Sequence, residues 1–169
     1  MTIDNDATIS LLNDLIETCE DGVKGFRTAA AAVKHSAAKT LFTSRISIIE
    51  HAATELQSEV RRLGGTPATT GSVSATIHRG WIDLKAAVTG QDDAAIITEC
   101  ERGELVAVHN YEEARKHELP SDIRAIVDRQ YHGAVQNLER VRALGASAGA
   151  GKPVVAPTPD AHRGAAPRS

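Results

Sequence analysis

Glu101, Glu104 and Tyr111 are the residues of this chain whose types and spacing suggest chemistry. The series Ile97, Glu101, Glu104, Val108, Tyr111 advances by four, three, four and three residues. That is the spacing of side chains sharing one face of a helix. Shifting the frame to Cys100, Glu104, Ala107, Tyr111, Ala114 leaves Glu104 on the stripe. A carboxylate turned toward a helical core is costly unless something pairs with it. Either a divalent metal or a buried guanidinium would answer it. Glu20 and Glu50 flank the apolar stripes of their own segments and, with Glu101 and Glu104, form the candidate metal-ligand set, with iron or manganese as the ion. Arg27 and Arg45 flank the same stripes and are the candidate partners for a buried ion pair. The ion pair is the preferred reading.

The elements that would position these groups are helical. Aromatic residues make up 3% of the 169 residues and apolar residues 41%. The core is therefore built from Leu, Ile, Val and Ala, which suits closely packed helices. The seam Leu12, Ile16, Cys19, Val23, Phe26, Ala30, Val33 predicts a first helix over 8–34. Phe42, Ile46, Ile49, Ala53, Leu56, Val60, Leu63 predicts a second, starting at an N-cap Ser36 and stopped by Gly64-Gly65. A shorter helix is expected around Val73, Ile77, Trp81, Leu84 and Val88, ended by Gly90. The third long helix runs from Asp92-Asp93, whose charges suit a helix start, to about His117. The fourth begins with Pro120 in its first turn, carries the seam Val127, Tyr131, Ala134, Leu138, Val141, and closes at Gly145. No alternating strand pattern or Asn-Gly turn occurs.

The expected organisation is a flexible stretch at 1–7, a four-helix bundle at 8–145, and an Ala/Gly/Pro-rich disordered tail at 146–169. Helices one and two, and three and four, are joined tightly and should lie antiparallel. The nearly 30 residues between helices two and three can cross the whole bundle, which is the ferritin-like topology.

Several blocks carry a family resemblance: Leu12-Asn13-Asp14-Leu15-Ile16-Glu17, Val60-Arg61-Arg62-Leu63-Gly64-Gly65, and His78-Arg79-Gly80-Trp81-Ile82-Asp83-Leu84-Lys85. Glu101-Arg102-Gly103-Glu104 and Asp128-Arg129-Gln130-Tyr131 follow in order. Over roughly residues 8–144 the chain resembles a bacterial ferritin-like four-helix-bundle family, domain-of-unknown-function 2383. The resemblance implies the fold and carries no established activity.

Ferritin-like di-iron proteins take a Glu from each of two helices and a Glu-x-x-His pair from each of the other two. Glu104 and Tyr111 have the Glu, six residues, Tyr spacing of one lone-Glu helix in the rubrerythrin-like branch. Its counterpart on helix one reads Cys19 and Phe26, which cannot replace a bridging carboxylate and its tyrosine. Neither Glu-x-x-His pair is present. The expected cofactor is therefore none, with iron or manganese in a reduced carboxylate site around Glu101 and Glu104 as the alternative.

The remaining candidates are fewer. Cys19 and Cys100 fall on apolar faces and read as buried small hydrophobes, with no zinc-type spacing. Trp81 reads as an anchor holding the crossover helix on the bundle; with His78 and Arg79 it is alternatively an interface, giving a dimer through that face if it stays exposed. Gly80 and Gly103 suggest a close helix crossing. A net charge of −3 gives no electrostatic case for nucleic acid. No apolar run approaches the ~18 residues of a membrane span. The expectation is a cytoplasmic bacterial protein, not an enzyme, serving as a structural or interaction module that self-associates or binds another protein. A link to stress responses follows from fold analogy alone. The alternative function is a metal-dependent oxidoreductase or iron-handling protein.

Overall fold

In the computed structural model, residues 4–69, 81 and 83–150 are described. They form α1 (Asn5–Ala32), α2 (Ser36–Arg62), α3 (Leu84–Thr89), α4 (Asp93–Arg115) and α5 (Ser121–Ala150), with no strand among the described residues. Each long helix starts where a side chain or a carbonyl can serve the free N–H groups of the first turn. Asp4 caps α1 by accepting from Asp6 N at 3.0 Å, so helix begins inside the stretch expected to be flexible. The α2 cap is His35, not Ser36: its Nδ1 accepts from Ala38 N at 3.3 Å. Asp92 caps α4. Pro120 precedes α5, and its carbonyl accepts from Arg124 N.

The α2 terminus is a Schellman motif. Gly64 takes φ +86°, Gly64 N donates to Arg61 O, and Gly65 N donates to Val60 O. At the end of α3 the left-handed residue is Gln91 rather than Gly90. Gly145 does not stop the last helix. It lies inside α5, which continues to Ala150, and the rest of the expected tail, 151–169, lies outside the described residues.

The chain forms two helical hairpins, α1 with α2 and α4 with α5, whose internal interfaces are the most extensive. They join mainly through α1 and α4, while α2 and α5 meet lightly. The α1–α4 pair is antiparallel. Asn110 near the end of α4 donates to Thr18 at the middle of α1, and Asp93 at the start of α4 accepts from Lys34 N and His35 N just past the end of α1. The link from α2 to α4 therefore traverses the bundle. It leaves along α1, where Asn13 hydrogen-bonds Thr66 O and Ala68 N. It returns at Trp81, whose indole fits between Gly25 of α1 and Gly103 of α4. A Cβ on either glycine would fall 2.3–2.5 Å from the ring. Gly103 thus makes room for an indole rather than for a crossing helix backbone. The core of Leu12, Ile16, Phe26, Phe42, Leu56, Ile97, Ile123 and Val127 is closed to solvent.

Candidate functional site

Midway along the bundle the core turns polar. Glu104 is 1% exposed and faces Arg45 across the diagonal between α4 and α2. Arg45 Nε donates to Glu104 Oε2 at 3.1 Å and Nη2 to Oε1 at 2.6 Å, a bidentate pair. Asn137 of α5, itself buried, donates from Nδ2 to Glu104 Oε2 at 2.8 Å. Both carboxylate oxygens are thereby satisfied.

Two turns along α4, a second polar level is built on Tyr111. Its hydroxyl donates to Gln130 Oε1 at 2.7 Å and meets Cys19 Sγ at 3.4 Å. Gln130 Nε2 donates to Glu55 Oε1 and Ala52 O, which fixes the amide orientation. The phenol proton is therefore spent on Gln130, and the Cys19 thiol is the donor toward Tyr111. Glu55 also binds Arg129 at 2.8 Å, and its carboxyl is held below the usual carboxylate range chiefly by that bond. Burial pushes the Cys19 thiol up to about 11. Burial likewise raises Cys100 and Tyr111 well above their ordinary values. Neither cysteine is a thiolate nucleophile near neutrality.

The two levels bound a cavity of about 970 Å³. Gly22, Ile49, Ala107 and Gly133 line its middle, Phe26 and Trp81 one end, and Cys19 and Tyr111 the other. The exposed residues on its rim, Ser47, Ile48, His51, His132 and Gln136, belong to α2 and α5. It opens between those two helices.

The candidate carboxylates do not converge. Glu101 turns outward to a surface bridge with Arg142 at 2.9 Å. Being three residues from Glu104, it lies about 60° around the helix from it, enough to leave the core. Glu50 is bound by Arg27 on the surface, which also takes Arg27 away from Glu104. Glu20 is half-buried beside Lys24 and Asp21, and its carboxyl is raised mainly by desolvation. Among the described residues no three His, Cys, Asp or Glu side chains come together as a metal site. The residues present therefore do not fit a di-iron centre: an arginine takes Glu104's carboxylate, and amides and a thiol stand on the neighbouring helices. Trp81 is half-buried in its slot, edge-on to Phe26 with ring centroids 5.2 Å apart. His78, Arg79 and Gly80 lie outside the described residues.

Two residues of these networks, Gln130 and Asn137, were not singled out from the sequence. Their signal is the stripe Ile123, Val127, Gln130, Ala134, Asn137, Val141, which steps by four, three, four, three and four. The expected seam leaves this stripe at Tyr131 and Leu138, one residue beyond Gln130 and Asn137.

Residues 7–117 match a protein family described as a domain of unknown function (DUF2383). A crystal structure of a two-domain protein from Anabaena variabilis, containing DJ-1/ThiJ/PfpI-like and ferritin-like domains, is similar in fold: TM-score 0.73 at 17% identity, over 97% of this chain and 42% of that one. The chain thus spans less than half the length of that relative. No curated protein matches it.

Proposed function

The chain belongs to the DUF2383 family and has a ferritin-like fold, and from that premise we propose that it is a structural or interaction module whose ancestral metal level has become an internal ion pair. The observation that carries this reading is the bidentate Arg45–Glu104 contact with Asn137 on the same carboxylate. A guanidinium there supplies the positive charge that a buried carboxylate requires, and with Asn137 it occupies both carboxylate oxygens that a metal would need. A module that works beside other domains or copies accords with the Anabaena relative, where a ferritin-like domain shares a chain with a second domain. No helix among the described residues is long and apolar enough to cross a membrane. We place the module in the cytoplasm, in keeping with two buried free cysteines.

The test is elemental analysis of the purified protein after loading with iron and with manganese, repeated on Glu104→Gln. The expected result is substoichiometric metal in both. Stoichiometric iron or manganese in the wild type that disappears in Glu104→Gln would overturn the reading in favour of a metal-dependent oxidoreductase or an iron-handling protein.

A further inference from the structure

We propose that the cavity opening between α2 and α5 is a binding site for one small, uncharged, largely aromatic molecule carrying an oxygen acceptor. This goes beyond the module reading and does not depend on it.

The space of about 970 Å³ is open to solvent along its rim and reaches inward to the buried polar groups Glu104 and Tyr111. The size falls in the range of small-molecule sites. Its cause is a level of small side chains between the two polar networks: Gly22 on α1, Ala107 on α4 and Gly133 on α5. Gly133 is the telling residue. A Cβ there would meet nothing within 4 Å, so no packing contact demands glycine. Glycine in a helix interior weakens the helix relative to alanine. What Gly133 does is keep the cavity wide at its middle level, between the two polar networks.

The chemistry of the walls selects the occupant. Phe26, Ile49 and Trp81 supply apolar surface. The polar groups at both ends are already bound to one another, Cys19 through Tyr111 to Gln130, and Arg45 to Glu104 and Asn137. Arg45 and Arg129, the two arginines that line the cavity, are each paired with a carboxylate, Glu104 and Glu55, so a strongly anionic ligand would leave its water without an uncompensated guanidinium to meet. On the buried wall the Arg45 guanidinium keeps donors to spare: Arg45 lines the cavity, its side chain is 8% exposed, and Nη1 makes no hydrogen bond among the described residues. A carbonyl, ether or hydroxyl oxygen on the ligand would meet it. Trp81, the described part of the crossover nearest the cavity, lies on the α1–α4 side, opposite the rim.

Trp81 is the chain's single tryptophan and lines the cavity, so it reports occupancy. The probe is 6-propionyl-2-(dimethylamino)naphthalene, an uncharged aromatic ketone that accepts energy from tryptophan. Titration of the full chain should quench Trp81 emission saturably at one molecule per chain, with a blue shift of the probe. Gly133→Leu, verified as folded by circular dichroism, should weaken binding at least about tenfold. Gly133→Met serves if the leucine variant fails to fold. The carbonyl-free 2-(dimethylamino)naphthalene should bind more weakly than the ketone. Absence of energy transfer in the wild type, or unchanged affinity in either folded variant, overturns the site. Equal affinity for the two probes overturns the acceptor contact.

Discussion

At Glu104 the energetics turn on what remains after a change. Glu104→Ala removes the carboxylate and leaves Arg45 charged, buried and without its counter-ion. Breaking a buried pair this way costs about 3–5 kcal/mol. Thermal melts should show a large fall, and a silent substitution would mean that the pair is not buried. Replacing both partners, Glu104→Leu with Arg45→Met, should recover most of the loss, because apolar groups of similar size remove the desolvation cost as well as the attraction. Cys19 makes a pH prediction. Its thiol titrates near 9.0 when free and at about 11 in the fold. The raised value means the folded chain keeps a proton that the unfolded chain releases. The associated stability is complete below pH 9 and is lost as pH rises toward 11, by about 3 kcal/mol. Cys100 and Tyr111 shift in the same direction and add to the loss. Urea unfolding of the wild type and of Cys19→Ala, at about pH 8 and about pH 10.5, measures it. A wild-type stability that does not fall with pH would contradict the burial of all three groups.

At the scale of elements, the crossover is fastened by shape. Gly25 and Gly103 on antiparallel helices form a slot, and Trp81 fills it. Substituting alanine at a helix interior glycine normally stabilises by about 1 kcal/mol. Here the new Cβ would sit 2.3 Å from the indole, so Gly103→Ala should destabilise by about 1–3 kcal/mol through overpacking. In a Trp81→Ala background the same change should become neutral or stabilising. The sign reversal, measured as a double-mutant cycle in denaturant, isolates the contact. Additive effects would remove Trp81 from the slot. Around it, Arg102 bridges Asp83 of the crossover and Glu99 of its own helix, both at 2.9 Å. The bridge with Asp83 is exposed and worth little beside the fitted ring.

At the scale of the molecule, two hairpins are joined along α1–α4, sealed there by Trp81, and left partly open along α2–α5. Because Trp81 contacts both hairpins, its fluorescence and the far-ultraviolet circular dichroism should follow one coincident unfolding transition. An earlier fluorescence transition would show the crossover detaching before the bundle melts. The amino-acid sequence by itself determined the helices, their pairing, the single long crossover and the inward direction of Glu104. These follow from local periodicity, from capping residues such as Asp92 and Gly64, and from linker length, none of which requires knowing what lies opposite. Periodicity names the face a residue occupies but not its partner on another helix. Arg45 and Arg27 look alike along the chain; only the bundle register sends one across the core and the other to Glu50 on the surface. The same holds for Gln130 and Asn137, whose amides acquire meaning from Tyr111 and Glu104 on a neighbouring helix, and for Gly25 and Gly103, 78 residues apart and joined by one indole. The cavity belongs wholly to tertiary structure, because it is the space left where small residues of three helices fall at one height.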